Sequence, residues 1–146
     1  MLSDSPPVIA VFRLTATRVG AVVHLVAAVA LCFFGLFDVL GFERAFVAGL
    51  IAAPVSAAIG LSAVRRARQR RGADLARLFG HASAAGIVLL LPTVIAGGIV
   101  EWIEQPCDPG EGLVFVLACA GVSAVFGAAL GTSLGTLTTR RILPGL

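Results

Sequence analysis

The stretch LVFVLACAGVSAVFGAALGTSLGTL, residues 113–137, has no charged side chain and a small residue at every fourth position from Cys119 onward: Cys119, Ser123, Gly127, Gly131 and Gly135. A run of this length, rising 1.5 Å per residue as a helix, crosses the roughly 30 Å hydrocarbon layer of a bilayer. Residues four apart share a helix face, so the small residues make one continuous stripe. Its Gly-x-x-x-Gly-x-x-x-Gly core is a glycine zipper that lets another helix backbone come close. In lipid that property matters, because helices associate by packing and hydrogen bonding and not by a hydrophobic drive.

Apolar runs at residues 19–40, 45–64 and 81–100 precede this one. The second has its own stripe of Ala48, Ala52, Ser56 and Gly60. The second and fourth helices are therefore expected at the centre, against each other or against a second copy. The expected fold is an all-α membrane domain of four transmembrane helices in an antiparallel up-down bundle, with short links. A cytoplasmic leader, residues 1–18, precedes the domain at 19–141, and a tail, residues 142–146, follows it. Pro54 and Pro92 fall inside the second and third runs and are expected to kink them. Val55 to Gly60 resembles Val122 to Gly127, which raises the question of a parallel repeat of two hairpins.

Charge sets the orientation. Only 13% of the chain is charged, against about 25% in soluble domains. All of the basic residues are arginine, as in a GC-rich bacterial coding sequence, and they gather at alternate ends of the apolar runs. Arg13 and Arg18 precede the first. Arg65, Arg66, Arg68, Arg70, Arg71 and Arg77 link the second to the third, and Arg140 and Arg141 follow the fourth. The opposite ends carry Glu43, Glu101, Glu104, Asp108 and Glu111, with Arg44 as the lone arginine there. Arginine bias in short links places them on the cytoplasmic side. Both termini and the middle link are thus expected in the cytoplasm, and the protein in the inner membrane as a multi-pass protein. The basic link is expected to lie on anionic lipid headgroups, not on nucleic acid. Trp102 stands where an interfacial anchor belongs. The segment from Glu101 to Gly112, rich in proline and glycine, reads as a turn.

Few residues invite chemistry. Ionisable groups within spans are expensive and point to function by default. His24 lies within the first run, Asp38 near its outer end, and Glu101 at a similar outer depth on the third. These three make a candidate ion or proton site, although Asp38 is also placed to pair with Arg44 across the Gly41–Glu43 turn. His24 and His81 are the only histidines and permit a haem held between two helices. Cys32, Cys107 and Cys119 form no Cys-x-x-Cys pair, and no phosphate loop, zinc motif or nucleophile elbow is present. No metal site, catalytic residue or resident cofactor is expected. The reading that follows is a non-catalytic subunit or scaffold that packs with itself or with a larger membrane complex. A small oligomeric transporter or channel, proton-linked through His24 or Asp38, is the alternative. A haem- or quinone-linked redox protein is a further one.

Overall fold

The computed structural model describes residues 15–34, 41–68, 74–104 and 109–140. Within them the chain is helical throughout: α1 (Thr15–Leu31), α2 (Phe42–Arg68), α3 (Leu75–Val88), α4 (Leu91–Glu104), α5 (Pro109–Phe115), a π turn (Val116–Gly121) and α6 (Val122–Arg140). Three stretches are long and apolar enough to cross a membrane: Phe42–Ala67, Leu75–Ile103 and Gly110–Thr138. The helix α1 is apolar but shorter. The leader before Thr15 and the tail after Arg140 lie outside the described residues, as do Asp38, Arg70, Arg71 and Cys107.

The elements depart from the sequence boundaries at identifiable residues. The first run begins its helix earlier, at Thr15, and ends it at Leu31. There the amides of Cys32, Phe33 and Phe34 turn back onto the carbonyls of Val29, Ala30 and Leu31, which tightens the exit into a three-residue repeat. The third run is two helices, not one kinked helix. Pro92 has no amide to give to Val88, and the break falls just ahead of it. The Leu89 amide closes on Ala85, that of Leu90 on Ile87, and that of Val94 resumes on Leu90. By contrast, α2 runs through Pro54 without interruption. The segment read as an outer turn is helical on both flanks: α4 continues through Trp102 to Glu104, and α5 starts at Pro109. Proline suits that start, because the first helical amides have no partner to lose.

Packing centres on α2, which touches α1, α3, α6 and the π turn. Its tightest partner is α6, a parallel helix near the other end of the chain, and not one of its antiparallel sequence neighbours. Glycine is the reason. A β-carbon on Gly127 would run into the backbone of Ala53, one on Gly131 into that of Ala57, and one on Gly135 would sit 2.9 Å from Val64 Cβ. From the other side, one on Gly60 would meet the Ala128 carbonyl at 2.9 Å. Beside the glycines, Ala120, Ala124, Ala128 and Thr132 form a second buried row at the same spacing, facing α2 and α3. At the start of α2, Phe42 stacks on Phe46 and meets Phe115 edge-on, with ring centres 6.2 and 6.0 Å apart.

The break at Pro92 divides the loyalties of the third run. Its first half, α3, packs on α2 and α6, whereas its second half, α4, packs on α1. The register also bears on the proposed repeat. A twofold axis between like hairpins would set Ser56 and Ser123 at one level. Ser123 instead lies beside Gly49, two turns or roughly 10 Å along the helix from Ser56.

Candidate functional site: a buried polar column between three helices

Each of three helices contributes one buried stripe to the interior. On α1 the buried positions are Thr17, Gly20, His24 and Ala28. On α2 the stripe runs through Arg44, Ala48, Ala52 and Ser56, and on α4 through Thr93, Gly97 and Glu101. Two contacts fix their mutual level. A β-carbon on Gly20 would overlap Val55 of α2 and sit 3.2 Å from Leu89 at the α3–α4 junction. Further along, Arg44 reaches across to Ala28 and Cys32. Counting turns from the first contact, His24 lies at the level of Ala52 on α2 and of Thr93 on α4.

Arg44 dominates the outer end of this column. It has no solvent exposure. Its Nη2 donates to the Ala28 carbonyl, 3.0 Å away, and to the Cys32 sulfur at 3.2 Å. The Cys32 thiol in turn donates to the same Ala28 carbonyl at 3.3 Å. That carbonyl sits at the last turn of α1, where one lone pair is otherwise unused. The carboxylate of Glu101, also buried, lies within the electrostatic field of the guanidinium. The two charges are buried toward the end of the column where α2 begins, α1 ends and α4 finishes. Glu43, the preceding residue, is exposed.

His24 sits deeper. Its Nδ1 donates to the Gly20 carbonyl one turn back, at 2.9 Å, which leaves Nε2 with the lone pair. Nε2 is buried and finds no partner among the described residues. Ser56 and Ser83 likewise bury hydroxyls without a partner there, with Ser56 pressed against Gly86 of α3. Thr132 satisfies itself by donating to the Ala128 carbonyl at 2.9 Å.

The residues singled out from sequence fall into separate places. Ala48, Ala52, Ser56 and Gly60 are buried on α2, and Gly127, Gly131 and Gly135 on α6, while Cys119 and Ser123 are half-buried. His24 and Glu101 both belong to the column. His81 does not: it is half-buried on α3, with Nδ1 donating to the Arg77 carbonyl. The Gly20–Leu89 contact puts His81 some 12 residues, or about 18 Å, below His24 along parallel helices. That offset keeps the two imidazoles from opposite faces of one haem. Arg65 and Arg66 are exposed at the end of α2, and Arg77 is exposed with its Nε 3.6 Å from Asp74. Trp102 is the most exposed large apolar side chain of α4, at 85%. Among the described residues no three potential metal ligands come together.

Sequence reasoning named Arg44 only as a partner for Asp38, which lies outside the described residues, and it missed Thr93 and the Ala120–Thr132 row. The alanine row carried the same fourfold spacing as the glycines and was legible. The burial of Arg44 was not, because it depends on the helix that starts at Phe42 turning the side chain inward. The chain matches no family model, no curated protein and no solved structure.

Proposed function

We propose that the chain is a small multi-pass protein of the cytoplasmic membrane, acting as a non-catalytic subunit or scaffold within a homo-oligomer or a larger membrane complex. Four crossings, with both termini and the arginine-rich link in the cytoplasm, follow from the arginine bias. The link then rests on anionic headgroups, each arginine contributing about 1 kcal/mol of attraction. The observation that carries the reading is the α2–α6 contact. Glycines there bring two backbones together, so the centre of the molecule is filled by main chain. Large apolar side chains on every long helix are left facing outward, among them Val26, Phe46, Leu50, Ile99, Phe126 and Leu134. A rigid core with an apolar exterior serves assembly. In an oligomer the contact surface would be one of these outer faces, because the glycine stripe is already occupied within the chain.

A second reading, a small proton-linked transporter, draws on one specific observation: the buried column of His24, Arg44, Thr93 and Glu101. Such groups inside a membrane domain usually mark a polar path or its control.

The deciding experiment is extraction from native membranes in mild detergent, with co-purifying chains identified and counted by mass spectrometry. A stoichiometric partner supports the subunit reading. Recovery of this chain alone as a defined oligomer removes the larger complex and leaves a self-assembling scaffold and a transporter, which flux measurements then separate. Absence of proton-linked flux in liposomes would remove the transporter reading, and flux that survives both His24→Ala and Glu101→Gln would remove the buried column as its path.

A further inference from the structure

Between α1 and α2 a lateral groove of about 350 Å³ opens on the outer surface of the bundle. Val19, Gly20 and Val23 form one wall, and Pro54, Val55 and Ala58 the other. The volume falls at the small end of the ligand-pocket range of about 300–1,000 Å³. Two features explain the groove. Gly20 has no side chain and sits against Val55, which makes a floor. Pro54 and Ala58 are exposed and short, so nothing on α2 closes the opening. The lining is almost wholly apolar and offers a guest no charged group.

The charge lies at one end. On α2, Arg65 follows Pro54 by eleven residues and Ala58 by seven, so all three fall within about 20° of one face at 3.6 residues per turn. Arg66 stands in the same relation to Val55. Both arginines are exposed. The rise from Pro54 to Arg65 is about 16 Å, close to half of the roughly 30 Å hydrocarbon layer. The apolar lining runs from Thr15 to Val23 on α1, roughly 12 Å, and the two cations follow about 10 Å beyond Ala58 on α2, an order that suits an acyl chain in the groove with its phosphate at the arginines.

We propose that this groove seats one anionic phospholipid, its phosphate held by Arg65 and Arg66 and one acyl chain lying along Ala58, Val55 and Pro54 against Val19 and Val23. This deepens the membrane reading above and rests on it for the arginine end being at a headgroup surface. It does not depend on which leaflet that surface belongs to. The seat differs from general attraction of the basic link to acidic membranes in having a shape as well as a charge, and the test separates the two.

The purified full chain is transferred into nanodiscs of phosphatidylcholine doped with phosphatidylglycerol, then released for native mass spectrometry, and retained lipids are counted. The expected result is one phosphatidylglycerol held per chain in preference to phosphatidylcholine. Each arginine removed in Arg65→Gln or Arg66→Gln should weaken retention roughly fivefold. Ala58→Phe, which fills the groove from an exposed position, should abolish retention with both arginines intact. Val19→Phe does the same from the opposite wall and serves if Ala58→Phe does not fold. Equal retention of the two lipids by the unaltered chain overturns the proposal. So does charge-dependent retention that both groove fillings leave unchanged, because that is surface attraction without a seat. A groove filling that alters the oligomer mass but not the lipid count would assign the groove to a second copy and also overturn it. Reversed orientation in cells would correct the topology while leaving these lipid counts as they are.

Discussion

A guanidinium with no solvent exposure in an apolar bundle must be compensated, and Arg44 is compensated by two helices at once. The Ala28 carbonyl and Cys32 sulfur meet it from α1, and the Glu101 carboxylate supplies opposite charge from α4. Removing one member of a buried pair strands the other, typically at 3–5 kcal/mol, whereas replacing both with apolar groups is often close to neutral. Arg44→Ala and Glu101→Ala should therefore each lower the unfolding free energy by about 3 kcal/mol, and Arg44→Leu with Glu101→Leu by much less. Detergent unfolding followed by circular dichroism measures all of these. Additive losses in the double variant would show that the two charges are not partners. Glu101 was legible as an acid at a helix end, and His24 as an imidazole within a run. Their neighbour was not, because burial of Arg44 depends on where α1 ends, and one-dimensional spacing carries no information about that.

Among the elements, α6 and the α3–α4 pair make opposite demands on helix geometry. In α6 the glycines are required by proximity to α2, and in α4 Gly98 is not: a β-carbon there would meet nothing within 4 Å. Gly131→Ala should destabilise the fold by at least 1–3 kcal/mol, the usual range for overpacking, because its neighbour is main chain and cannot rotate away. Gly98→Ala should instead stabilise by up to about 1 kcal/mol through helix propensity. The same unfolding titration reads both, and a neutral Gly131→Ala would mean that α2 and α6 are not in backbone contact. The proline break makes a separate prediction. Pro92→Ala restores an amide for the Val88 carbonyl, so α3 and α4 should straighten into one helix. Spin labels at Arg77→Cys and Trp102→Cys, in a background without other cysteines, should then move apart in pulsed electron paramagnetic resonance. An unchanged distance would place the cause of the break in packing and not in the proline. The small-residue stripes and the proline were both visible in the sequence. The direction in which each half of the broken helix leans was not, because it depends on the depth of α1 relative to Leu89.

At the scale of the whole molecule, the helical and membrane-compatible character is set by composition, and here the sequence is at its most informative. Runs this long and this poor in charge have few other folded outcomes. The proposed orientation rests on arginine placement and is testable in intact cells. In a background without the native cysteines, a membrane-impermeant maleimide should label Glu111→Cys and spare Arg66→Cys until the membrane is opened. Labelling in the reverse order would invert the topology. The arrangement of helices was only half legible. Four alternating crossings suggest a square of sequence neighbours, but the closest pair is the parallel one, α2 and α6, because glycine content and not chain order decides how near two axes can come. The partner, substrate or complex leaves no mark that composition or spacing could carry.

The π turn at Val116–Gly121 has a bearing on how this chain tolerates changes in its length. Losing one residue from an ordinary helix rotates everything beyond it by about 100° and turns every inward face outward. A π turn holds one residue more than the α-helical path needs. Deleting a single residue there, such as exposed Leu117, would let the turn relax to α-helix with the phase of both flanks preserved. In that stretch the chain carries slack, and a frame-preserving loss that would be ruinous in the middle of α2 becomes a change the bundle can absorb.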